Sequence, residues 1–110
     1  MASTDIVLVL TTAPDDDRAG VWARTLVEER LAACVNVYGP MTSCYRWKGV
    51  VEHEVERQVA IKTTRGRVEA LKARLLELHS YQLPELLVIA VDGGSDAYVR
   101  WVADQIAGGA

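Results

Sequence analysis

From Ala32 to Thr64 the chain reads Ala32-Ala33-Cys34-Val35-Asn36-Val37-Tyr38-Gly39-Pro40-Met41-Thr42-Ser43-Cys44-Tyr45-Arg46-Trp47, then Lys48-Gly49, then Val50-Val51-Glu52-His53-Glu54-Val55-Glu56-Arg57-Gln58-Val59-Ala60-Ile61-Lys62-Thr63-Thr64. Lys48-Gly49 is a two-residue turn flanked by two β-rich runs, the pattern of a hairpin. In the second run Val51, His53, Val55, Arg57, Val59 and Ile61 alternate with Glu52, Glu54, Glu56 and Gln58, so one face is expected to be mostly apolar and the other acidic. Each arm is about 15 residues long, against the usual ~5 to 6. Pro40 cannot donate to a ladder, so it needs an edge or a bulge. A long edge with a break in it invites pairing with another chain. The hairpin therefore reads as an oligomerisation device.

Working outward, Ile6-Val7-Leu8-Val9-Leu10 is a continuous apolar run, expected to be a central strand buried on both faces. Pro14 and Asp15-Asp16-Asp17 are expected to open a helix, with Pro14 in the first turn and the carboxylates at the positive end of the dipole. The acidic trio reads as a helix start rather than as a metal cluster. Ala19, Trp22, Ala23, Leu26 and Arg30 or Leu31 then recur at helical spacing. A second amphipathic helix is expected over Arg65–His79, with Val68, Leu71, Leu75 and Leu78 buried. Ser80 to Glu85 is a loop, and Leu86 to Val91 is a further buried strand. Asp92-Gly93-Gly94 is a turn, not a phosphate loop. Ser95 caps a last helix, Asp96 to Ile106, with Tyr98, Trp101 and Val102 on one side. The order β-α-β-β-α-β-α is an α+β, ferredoxin-like arrangement with an extra C-terminal helix. One domain over residues 1–110 accommodates it.

Composition sets the class. Half of the 110 residues are hydrophobic and a quarter are charged, as in a globular protein. Lys and Arg number 12 against 15 Asp and Glu, for a net charge of -3, which argues against a general grip on nucleic acid. The apolar runs fall far short of the ~20 residues that span a bilayer. Met1-Ala2-Ser3-Thr4-Asp5 lacks the basic start of a secretion signal, so a cytoplasmic setting is expected. Cys34 and Cys44 would lie about 33 Å apart on one continuous strand. They could meet only if the chain folded back at Gly39-Pro40, so two free, buried, reduced thiols are expected.

No hydrolase, P-loop, zincin or C-x-x-C pattern is present, and no nucleophile–base pair is identifiable, so no enzyme activity is expected. The two histidines are the side-chain type whose ordinary pKa suits it to physiological pH. His53, among valines, is expected to be partly buried or interfacial. His79 ends a helix, where the dipole favours a cation; it is also a candidate metal ligand, alone or with Cys34, Cys44 or a carboxylate. Tyr45, Arg46, Trp47, Lys62, Tyr81 and Glu85 fall near strand ends or in the loop. They are candidates for a ligand cleft or for a subunit interface.

Five segments then carry a resemblance to a known family. Thr11-Thr12-Ala13-Pro14-Asp15, Glu28 to Asn36, Ser43 to Gly49, Ile61-Lys62-Thr63-Thr64 and Tyr81-Gln82-Leu83-Pro84-Glu85 resemble, in order and over about residues 5 to 107, the CutA divalent-cation tolerance proteins. The resemblance implies a tight homotrimer similar in shape to the PII signalling proteins, a cytoplasmic setting and a link to metal tolerance, chiefly copper. No cofactor is implied beyond Cu(II) or another divalent cation, and the expected partner is a second and third copy of the chain. A copper site proposed for some members uses a Cys on the first strand and two adjacent His after the second helix. Those positions here hold Thr11, Leu78 and His79, and Ser80 stands where a Pro commonly follows, so His79 alone of the set remains. Two other readings stay open: a PII-like module that takes a small anionic ligand through Lys62 and its neighbours, and a structural trimer that docks to another protein.

Overall fold

A computed structural model describes residues 5–107; the reading of Met1 to Thr4 lies outside them. Strands β1 (Ile6–Pro14), β2 (Cys34–Trp47), β3 (Val50–Thr64) and β4 (Leu87–Ala90) form one sheet in the order β2-β3-β1-β4. Every pairing is antiparallel. Helices α1 (Arg18–Glu28) and α2 (Val68–Leu78) lie in the two crossovers, and α3 (Asp96–Ala107) follows β4. This is the ferredoxin-like arrangement with its added helix.

The main core has one cause, the period-2 alternation of the central strands. Val7 and Val9 of β1 and Val59 and Ile61 of β3 point to one face, where they meet Trp22 and Leu26 of α1 and Leu71 and Leu75 of α2. A smaller cluster joins Ile6 and Ala33 to Val102 and Ile106 of α3. Full burial of such side chains is worth about 1.5–3 kcal/mol each.

The hairpin forms as its turn residues require. Lys48 and Gly49 both take positive φ, 50° and 82°, and Trp47 faces Val50 across the turn. The register shifts between Tyr38 and Met41, so Gly39-Pro40 forms a bulge on an edge strand, which removes the need for the missing donor. β1 pairs with β3 only from Glu56 to Thr64. Residues 50–55 pair with β2 alone, and the hairpin extends past the sheet as a two-stranded arm.

Several expectations are corrected. Pro14 ends β1, and α1 begins only at Arg18. Asp15 and Asp16 precede the helix because arginines hold them: Arg57 Nε donates to Asp15 at 2.9 Å, and Arg18 binds Asp16 through its backbone and side chain. Arg18 thereby lowers the pKa of Asp16. Leu31 is buried but lies past the helix, after Arg30 turns the chain at φ 57°. A short 3-10 turn, Arg65–Arg67, precedes α2, and Leu78 is only partly buried. The acidic face of β3 is not uniformly solvated, since Glu56 is 8% exposed. The odd-numbered face is apolar but largely uncovered in the arm, with Val51 and Val55 exposed. β4 is a bare edge, its Leu87, Val88 and Ile89 between 42% and 56% exposed, because no fifth strand or helix among the described residues covers it. Leu8 and Leu10, which face Ile89 and Leu87, are only half-buried, so β1 is fully covered on one face alone. On α3, Val102 is buried while Tyr98 and Trp101 stack on each other at 5.5 Å and stay exposed. Ser95 does cap this helix, its Oγ accepting from the Tyr98 N–H at 3.2 Å. The cysteines are free, but Cys34 is half-buried and Cys44 exposed.

Candidate functional site

The hairpin arm and the loop between α2 and β4 enclose an open cleft of about 790 Å³. Tyr45 and Trp47 reach it from β2, Glu52, Glu54 and Glu56 from β3, and Tyr81 and Glu85 from the loop. β3 places the three glutamates together because alternate residues of a strand share a face. Among the described residues no Lys or Arg lines the cleft, and Arg18 approaches it by donating to Ser80 Oγ at 3.0 Å. Its electrostatic character is acidic.

The floor is held by a polar network. Tyr81 Oη donates to Glu56 Oε2 at 2.9 Å. Burial first, and then this carboxylate, push the Tyr81 phenol far above its ordinary pKa. Gln58 Nε2 donates to Glu85 Oε2 at 3.1 Å and to the Thr11 carbonyl at 2.8 Å, which ties the loop to β1 and β3. Tyr45 shares a hydrogen bond with Glu54, and that bond, with burial and the nearby carboxylates, raises its pKa.

His79 stands just behind this floor. Its ring lies 4.6 Å from Trp22 and 4.7 Å from Tyr81, centroid to centroid. Its Nδ1 accepts from the Tyr81 N–H at 3.2 Å, which leaves Nε2 to donate to the Thr12 carbonyl at 2.7 Å. That pattern selects the neutral tautomer, and burial lowers the His79 pKa. It does not act as a cationic helix cap. Both ring nitrogens are in use, so a metal ion at Nδ1 must displace the Tyr81 amide.

The remaining candidates lie elsewhere. Lys62 is not at the cleft; it faces Leu8 and Cys34 in the sheet, with Nζ 5.6 Å from the Tyr98 ring. Cys34 Sγ is 3.9 Å from Asn36 Oδ1 and does not meet His79. Arg46 Nη1 reaches the Gly49 carbonyl at 3.4 Å, and His53 is exposed. Among the described residues no three or more His, Cys, Asp or Glu converge as a metal-ion cage. Sequence reasoning missed the proximity of Cys44 and His53, whose Sγ and Nε2 are 3.9 Å apart. A signal was present: across a two-residue turn at Lys48-Gly49, residues equally distant from the turn face each other, and Cys44 and His53 are such a pair.

Comparison with known proteins places this fold. Residues 7–105 match the family model described as CutA1 divalent ion tolerance protein. A divalent-cation tolerance protein CutA from Pectobacterium atrosepticum is 43% identical over 98 residues, covering 89% of each chain. The crystal structure of CutA from Xylella fastidiosa superposes with a TM-score of 0.90 at 41% identity, covering 94% of this chain and 99% of that one. A CutA structure from Archaeoglobus fulgidus, described as a periplasmic divalent cation tolerance protein, gives 0.88 at 28% identity, over 92% and 98%. Among the described residues no helix is long and apolar enough to cross a membrane. By sequence and by fold, the chain belongs to the CutA1 divalent ion tolerance family.

Proposed function

We propose that the protein works as a homotrimer in the response to divalent metal ions, chiefly copper, and that it is not an enzyme. The observation that carries the cation reading is the cleft's lining: Glu52, Glu54, Glu56 and Glu85, with no Lys or Arg among its side chains. Such a cleft attracts cations and repels nucleotides and other anions. Lys62, on which the reading as a module for a small anionic ligand at subunit clefts relies, does not line this cleft, which favours the cation reading here. Self-association is supported by the bare strands: β2 and β4 are both sheet edges, and Val50, Val51, Val55, Leu87 and Ile89 are exposed. Edge pairing between copies would satisfy the backbone and cover these side chains together. Two free thiols agree with a cytoplasmic setting.

A Cu(II) contact at His79 must compete with the Tyr81 amide for Nδ1, so copper binding there is expected to be weak. Calorimetric titration with Cu(II), Zn(II) and ATP tests the reading. Copper is titrated into a Cys34→Ser, Cys44→Ser background so that thiol oxidation does not enter. Weak copper binding that is lost in His79→Ala, with no heat from ATP, is expected. Saturable ATP binding would contradict it. Copper binding unchanged in His79→Ala would exclude His79 as the contact.

A further inference from the structure

Cys44 and His53 are the one close pairing of thiol and imidazole among the described hydrogen-bond contacts. They face each other directly across the arm, β2 to β3, on paired backbone, and both are exposed. Alternation puts them on the hairpin face opposite Glu52 and Glu54; Cys44 borders the cleft from its rim, His53 does not line it, and neither joins the His79 network. Their 3.9 Å Sγ–Nε2 separation is a thiol–imidazole hydrogen-bond contact, a little longer than two ligands of one tetrahedral ion need. A metal about 2.3 Å from sulfur and about 2.0 Å from nitrogen would subtend roughly 130° between them, open of tetrahedral. A small rotation of either side chain closes the angle. Thiolate with imidazole is a donor set for Zn(II) or Cu(I) rather than for Mg(II) or Ca(II). The neighbouring arginine on this face, Arg46, is engaged with the Gly49 carbonyl at 3.4 Å.

We propose that Cys44 and His53 form a two-ligand site for a thiophilic cation, with water completing the coordination. The thiol gives up its proton on binding, and the imidazole binds through the Nε2 lone pair. His53 lies between Val51 and Val55 on a face that assembly would help to cover, so the site rests on the proposed trimer leaving this pair open to solvent.

Zinc(II) alone, titrated calorimetrically into the reduced full-length chain, is the test. One ion per chain is expected, with proton release read as a dependence of the heat on buffer. Cys44→Ser and His53→Ala should each weaken binding by more than about tenfold, a loss that even changes behind the ligands can cause. Cys34→Ser and His79→Ala should leave it unchanged. Circular dichroism on each variant separates lost binding from lost fold, and with both side chains exposed an unchanged fold is expected. Unchanged affinity in Cys44→Ser and His53→Ala, or no binding by the parent, would overturn the proposal. So would a loss in Cys44→Ser with His53→Ala unaffected, because a thiol alone would then suffice.

Discussion

His79 is clamped by two rings and two backbone groups, and that clamp makes its protonation a matter of stability. Burial holds its pKa below the ordinary 6.5. The unfolded chain therefore takes up a proton at a pH where the folded chain does not. The stability due to neutral His79 is present above about pH 6.5 and is lost as pH falls through the lower folded value. A His79→Gln variant should show a flatter loss of stability between about pH 7.5 and 5 than the parent, read from urea midpoints at fixed concentration. Parallel slopes would contradict this. The buried pair beside it gives a second expectation. Tyr81→Phe removes the donor to Glu56 and leaves a carboxylate that is 8% exposed without it. The loss should be about 1–3 kcal/mol in chemical denaturation, the cost of an unsatisfied buried group. A change near zero would mean that water reaches Glu56 freely.

At the scale of elements, the hairpin was the most legible part of the chain. Lys48-Gly49, the alternation of β3 and the break at Gly39-Pro40 are local signals, and each acts through its own backbone. Gly49 at φ 82° has no room for a side chain's preferences, although nothing lies near its missing Cβ. Gly49→Ala should therefore cost about 1 kcal/mol through backbone strain alone, with the arm's register intact by hydrogen exchange. Gly39 is the opposite case. A Cβ there would lie 2.7 Å from Arg57 Cγ, so the bulge is kept by a close approach and not by dihedral freedom. What could not be read locally depended on partners distant in sequence. Asp15 and Asp16 look like a helix start, yet Arg57 and Arg18 draw them off it. Glu56 looks like a solvated carboxylate, yet Tyr81, 25 residues on, buries it. Lys62 and Tyr45 lie on adjoining strands, yet only Tyr45 faces the cleft, because strand register and the position of α3 separate them.

For the whole molecule, the isolated chain leaves its surface unfinished. It measures 45 × 29 × 22 Å, with a two-stranded arm that has no third strand, and such a ribbon is marginal in water without cover. The exposed apolar side chains of the arm and of β4, with half-buried Leu8 and Leu10 on the same sheet, are the kind of surface that an obligate assembly removes from water. If copies supply that cover, unfolding must separate chains as well as open cores. The thermal midpoint should then lie above the ordinary mesophile range and rise with protein concentration. A low midpoint independent of concentration, read by calorimetry, would count against assembly. Sedimentation equilibrium at low micromolar concentration tests the central claim most directly: a single species of three times the 12.1 kDa chain mass is expected, and a stable 12.1 kDa monomer would contradict it.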